Sequence, residues 1–104
     1  MKIKLILTTT DSKDDAEKIS KVLINKKLSP CVQIFSNISS YYKWKDEIKY
    51  ANEFLILIKT LDEYLDSCIE IIKKEHNYEI PEIIEVDSNI LENNYANWFK
   101  ETIN

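Results

Sequence analysis

The chain has 104 residues and 44% apolar content, which is enough for one domain built around one core. Its net charge is −4 with acidic and basic residues interleaved, which argues against the cationic face that a nucleic-acid binder needs to neutralise phosphates. The absence of Gly and Arg excludes a glycine-rich phosphate loop and any guanidinium fork for carboxylate or phosphate.

The first strand runs through Ile3, Leu5 and Leu7, with Ile6 between them, and Thr8 to Asp11 reads as a loop. Asp11 or Ser12 caps the helix that follows, and Ser12 with Asp15 has the spacing of a capping box. That helix buries Ala16, Ile19, Val22 and Leu23. Acidic Asp14, Asp15 and Glu17 come first, and Lys26-Lys27 fill its last turn as the helix dipole prefers. Pro30 prevents continuation, and Cys31-Val32-Gln33-Ile34-Phe35 opens the second strand. Ser36-Asn37 marks a bulge, after which the strand resumes from Ile38 to Trp44. Lys45-Asp46 forms the hairpin tip.

Ile48 to Lys59 forms the return strand, and its run Phe54-Leu55-Ile56-Leu57-Ile58 is apolar on both faces, as in a strand covered on both sides. Thr60 with Glu63 has the spacing of a second capping box. Leu61, Tyr64, Leu65, Cys68 and Ile72 then make a helical stripe that ends near Glu75-His76, with Lys73-Lys74 in the last turn. Cys68, on that stripe, reads as a buried core thiol. Pro81 precedes a strand through Ile83, Ile84 and Val86. A final helix carries Tyr95, Trp98 and Phe99, with Tyr95 and Trp98 expected in the core. The order β-α-β-β-α-β plus a terminal helix is the ferredoxin-like α+β pattern, a four-stranded antiparallel sheet with two helices on one face. One domain spans 1–104.

The hairpin is long for so short a chain. A return strand of about 12 residues extends roughly 40 Å, whereas a compact body of this length is about 34 Å across. The overhang carries Tyr41, Tyr42, Trp44 and Tyr50. A bare two-stranded ribbon is marginal in water, and an aromatic edge invites pairing with another chain. These four residues are therefore the expected interface of an oligomer. Nothing in the chain approaches the 18 apolar residues of a membrane span, and Met1-Lys2-Ile3-Lys4-Leu5 enters a strand pattern with no signal-peptide core. Two cysteines without a CxxC make no disulfide framework, so a reducing cytoplasm is the expected compartment.

Several blocks together resemble the CutA divalent-cation-tolerance family. They are Thr8-Thr9-Thr10-Asp11, Ser29-Pro30-Cys31-Val32, Tyr42-Lys43-Trp44, Glu53 to Thr60, His76 to Ile84, and Tyr95 with Trp98. The resemblance covers nearly the whole chain in order and spacing. It implies a ferredoxin-like fold, a homotrimer that pairs edge strands between subunits, an assembly like PII-type signalling trimers, and a role in tolerance to divalent metals, copper above all. It implies no catalytic activity. It also places Lys59 in a cleft between subunits, near Cys31, Tyr78 and Glu82. The chain departs from the family pattern at Asp46, where Gly is usual, at Asn77, where Pro is usual, at Leu7, where some members carry Cys, and at Glu75-His76, where some carry a His pair. The last two departures remove soft ligands and point to weak copper binding.

The candidate ligands for copper or another divalent cation are Cys31, Glu75, His76 and Glu79, which offer thiolate, imidazole and carboxylate donors. Each also has an ordinary structural reading. His76 fits a helix C-terminus, where its charge favours the dipole, and Cys31 fits a small packed thiol at a strand start. Lys59, just before a helix start, is placed to hold an anion or to reach solvent. Pairing Cys31 with His76 as nucleophile and base lacks any oxyanion donor. A phosphate-ester hydrolase of this topology would need an arginine, and an RNA-recognition module would need a basic aromatic strand. The two remaining functions are a metal-responsive trimer and a PII-like sensor of a small ligand or protein partner.

Overall fold

A helix such as Lys13–Asn25 forms because its apolar residues recur on one side and its ends are closed. In the computed structural model, which describes residues 1–104, the Ser12 hydroxyl accepts from the Asp15 amide at 3.1 Å. The helix ends at Asn25, so Lys26-Lys27 lie beyond its last turn rather than in it. Leu28 N–H donates to Leu23 and Lys27 N–H to Ile24, both at 3.0 Å, with Lys27 at φ 58°. This is a Schellman closure with lysine in the left-handed position that glycine usually fills.

The elements are β1 (Lys2–Thr10), α1 (Lys13–Asn25), β2 (Cys31–Trp44), β3 (Glu47–Thr60), α2 (Leu65–Glu75), β4 (Ile84–Asn89) and α3 (Asn93–Ile103). The sheet order is β2-β3-β1-β4 and every pairing is antiparallel, which is the expected ferredoxin-like arrangement with a C-terminal helix. The bulge falls where expected, between Phe35 and Ile38, with Asn37 at φ 65°. Lys45 and Asp46 turn the hairpin at φ 49° and 64°, the two left-handed positions of a type I′ turn. The strand is continuous through Ser36 to Ser40, and the molecule measures 46 × 25 × 22 Å, with the hairpin setting its long dimension.

Further local expectations are corrected. Thr8 to Thr10 are not a loop but the end of β1, where they pair with Ile56, Leu55 and Phe54 of β3. Thr60 caps no helix: its hydroxyl donates to the Leu28 carbonyl at 2.6 Å, and a short 3₁₀ turn (Asp62–Tyr64) precedes α2. Val22 is only half-buried, and Ser20 is buried instead, its hydroxyl satisfied by the Ala16 carbonyl at 2.8 Å. Trp98 is 43% exposed and Tyr95 half-buried; Phe99 and Ile103 are the residues that α3 drives into the core, against Ile3.

The main core lies between the sheet and α1 and α2. Ile6, Ile56 and Ile58 meet Ala16, Ile19, Leu23, Cys68 and Ile72 there, so Cys68 is the buried thiol its stripe predicts. The register places Leu7, Phe35, Leu55, Leu57, Ile84 and Val86 on the opposite face. No element of the chain covers that patch; α3 covers only the Ile3 end of the face. The expectation that β3 is covered on both sides therefore holds for one side of a single chain and not for the other.

Candidate functional site

The turn after α2 carries His76, Asn77 and Tyr78, and hydrogen bonds fix each of them. Tyr78 N–H donates to His76 Nδ1 at 3.0 Å, so that nitrogen must be unprotonated; Nε2 then carries the proton and donates to the Thr9 carbonyl at 2.9 Å. The Thr10 hydroxyl donates to Asn77 Oδ1 at 2.6 Å, and Asn77 Nδ2 donates to Asp11 Oδ1 at 2.7 Å. The Tyr78 hydroxyl donates to Glu53 Oε2 at 2.6 Å. Burial first, then the bond to Glu53 and the nearby carboxylate charges, pushes the Tyr78 hydroxyl pKa well above the ordinary phenol value.

This geometry decides how the candidate metal ligands stand within one chain. Both ring nitrogens of His76 are engaged. Glu75 is paired with Lys18 at 2.9 Å, and that contact lowers its pKa. Glu79 is exposed. Cys31 pairs across the sheet with Lys59, and Lys59 with Leu5, whereas His76 binds at Thr9. Four strand residues separate the two levels, about 13 Å along the strand direction. No three His, Cys, Asp or Glu side chains converge to hold an ion. The residues present do not fit a metal centre inside one chain.

Within one chain the residues of the expected intersubunit cleft are likewise apart. Cys31 and Lys59 face each other, but Tyr78 reaches Glu53, six strand residues from Lys59 and about 20 Å away along the strand. Glu82 is exposed on the following loop. Lys59 instead meets Tyr95 of α3. Its ammonium donates to the Tyr95 hydroxyl at 3.1 Å and lies 5.3 Å from the ring centroid. Burial works against the Lys59 charge, but Tyr95 and Cys31 outweigh it and the net pKa displacement is upward. Lys59 stays a cation, and it has no carboxylate partner. A cavity of about 340 Å³ opens beside it, between the uncovered sheet face and the first turn of α3.

Sequence reasoning missed Tyr95 as a partner of Lys59 and Glu53 as a partner of Tyr78. Glu53 left a trace, being a carboxylate on the threshold of a five-residue apolar run. The hairpin aromatics Tyr41, Tyr42, Trp44 and Tyr50 are all exposed in the single chain, with the Tyr41 and Tyr50 rings 5.1 Å apart.

Residues 4–102 match the family model described as CutA1 divalent ion tolerance protein. The divalent-cation tolerance protein CutA of Thermus thermophilus is 33% identical over 100 residues, covering 94% of this chain and 95% of that one. A CutA homolog of Danio rerio is 32% identical over 99 residues, covering 95% of this chain, which spans 66% of that protein's length. Among solved structures, the periplasmic divalent cation tolerance protein CutA of Archaeoglobus fulgidus superposes with a TM-score of 0.91 at 33% identity over 100% of both chains.

Proposed function

The chain belongs to the CutA1 divalent ion tolerance family, and on that premise we propose that it is a cytoplasmic, homotrimeric divalent-cation tolerance protein that responds to metal ions, binds copper only weakly, and carries out no catalytic step. The family match over residues 4–102 carries this reading. The ligand geometry supports weak binding over tight binding, because a cation at His76 would displace either the Thr9 carbonyl or the Tyr78 amide.

Support for assembly comes from the uncovered apolar patch and the hairpin. Contiguous exposed apolar surface of this kind marks an interaction site in soluble proteins. The edge strand β2, with the aromatics of its overhang, offers unpaired backbone groups to a neighbouring copy. Closed rotational symmetry would let three copies cover one another's patches.

A second reading, a PII-like ligand sensor or protein-interaction trimer, is favoured by one observation: Lys59 is a partly buried cation with no acidic partner beside an open cavity. Light scattering tests assembly, with an expected mass three times the 12.3 kDa of one chain. Copper is then titrated into the same sample while tryptophan fluorescence is followed. Weak saturable quenching, reduced in Cys31→Ser or His76→Ala, supports the metal-responsive reading; a trimer with no such signal moves the function to the second.

A further inference from the structure

We propose that the outer part of the β2-β3 hairpin, residues 39–52, orders only against a second copy of this chain, so that a lone chain keeps its body folded and carries this ribbon unstructured. The proposal rests on the assembly described above and adds a disorder-to-order step to it.

The ribbon is set apart from the body by its contacts. Register pairs Ser39 with Asn52 and continues to Trp44 with Glu47, a reach of about 20 Å at the usual strand rise. None of these residues is buried, and every one from Tyr41 to Tyr50 is exposed. Burial resumes at Glu53, which Tyr78 ties to the loop after α2. Outside the ladder the ribbon makes the Asn52–Asn37 amide bond at 3.1 Å, the Lys49–Glu47 ion pair at 2.8 Å and the Tyr41–Tyr50 ring contact. No hydrogen bond or ion pair joins it to β1, β4 or a helix.

Such a ribbon does not hold itself together. Each residue fixed in a strand loses backbone entropy, and two strands with nothing packed behind them are marginal in water. Tyr41, Ile48 and Tyr50 stand on one face and Tyr42 and Trp44 on the other, so apolar groups lie on both faces and neither is covered. The turn gives little help. A type I′ turn favours Asn-Gly or Asp-Gly, whereas Lys45 and Asp46 put a Cβ at both left-handed positions. The break in register between Phe35 and Ile38 also disrupts the ladder at the foot of the ribbon, where order would otherwise spread from the body.

Charge and apolar surface select another copy as the partner. Lys43, Lys45 and Lys49 against Asp46 and Glu47 leave the ribbon at +1, whereas the whole chain is −4, which puts −5 on the rest. A body of opposite sign that bears the uncovered patch of Phe35, Leu55, Leu57, Ile84 and Val86 offers the ribbon of another copy both attraction and cover. Folding on contact subtracts the ordering entropy from the strength of association. It also makes protease sensitivity report assembly, because Lys43, Lys45 and Lys49 are open to cleavage only in the lone chain.

The test compares the full wild-type chain with Phe35→Glu and Val86→Glu, which place a charge on the uncovered face of the body and leave the ribbon unaltered. Mass by light scattering and amide exchange are read on the same samples. In the assembled wild type the ladder amides between Ser40 and Tyr50 should be protected at least about a hundredfold over an unfolded chain. In a dissociated variant that protection should fall to within about threefold of the unfolded chain, while β1 and the Phe54 to Ile58 stretch keep theirs. Trypsin should then cut after Lys43, Lys45 or Lys49 at least about tenfold faster than in the assembly. Circular dichroism, which the helices dominate, should not separate the two states. If one variant misfolds the other repeats the comparison, and if both stay assembled the wild type is diluted until its mass falls. A lone chain whose ribbon is as protected as β1 overturns the proposal, and so does an assembly whose ribbon exchanges like an unfolded chain. A wild type that is monomeric throughout with an unprotected ribbon upholds the disorder of the lone chain and refutes the assembly instead.

Discussion

The Tyr78 hydroxyl donates to Glu53 at 2.6 Å, and through that bond the loop after α2 is tied to β3, on the far side of β1. Glu53 is only 7% exposed, and Tyr78 is its only hydrogen-bond partner. Tyr78→Phe leaves that carboxylate partnerless and should cost about 1–3 kcal/mol in chemical denaturation. The bond also has a pH signature. The folded-state pKa of Tyr78 is raised above its unfolded value of 10.0, so its contribution is complete below about pH 10 and is lost as pH rises beyond it. The stability gap between the native chain and Tyr78→Phe should therefore narrow between about pH 10 and 12. A gap that stays constant with pH would refute the linkage.

His76 makes a sharper claim about protonation. With Tyr78 N–H pointing at Nδ1, the neutral ring must be the Nε2–H tautomer. Nitrogen NMR of the imidazole should show that tautomer at neutral pH, and one equivalent of zinc should leave the pattern unchanged. A zinc-dependent exchange of the protonated nitrogen would mean that the ring opens to ligate. His76→Ala should cost about 1–2 kcal/mol of stability from the two lost hydrogen bonds.

The sequence carried the frame because periodicity and turn chemistry are local. The Ser36-Asn37 bulge, the Lys45-Asp46 tip and the split βαβ order all follow from neighbouring residues, and all are present. The losses are long-range. Thr60 has the local spacing of a cap, yet its hydroxyl is taken by Leu28, 32 residues away. Tyr95 reads as a core aromatic, yet it faces Lys59 across the sheet surface, 36 residues back. His76 and Cys31 carry the right donor atoms for copper, but only the register shows that within one chain they sit at different levels of the sheet, which leaves a ligand set shared between copies to the copper titration.

Lys27 at φ 58° follows from a chain that contains no glycine. A left-handed Cβ crowds the following carbonyl, and glycine removes that clash while keeping both closing hydrogen bonds. Lys27→Gly should stabilise the protein by about 0.5–1 kcal/mol, the difference between relieved strain and the extra freedom of the unfolded chain. The thermal midpoint, measured at fixed protein concentration, should rise. A fall would show that the Lys27 side chain contributes a contact worth more than the strain.

The uncovered sheet face gives the sharpest test of assembly. Phe35 pairs with Leu55, and Leu55 with Thr9, on the side away from α1 and α2, and Phe35 is 46% exposed in one chain. A glutamate at that position meets water in a monomer and costs the chain little. In an assembly it would be buried without a partner, at a penalty of several kcal/mol. Phe35→Glu should therefore keep its circular dichroism while its scattering mass falls from the assembled value to the 12.3 kDa of one chain at micromolar concentration. Phe35→Leu, which keeps the apolar surface, should remain assembled. A Phe35→Glu protein that keeps the wild-type assembled mass would place the interface elsewhere, and the apolar patch would then need a different partner to cover it.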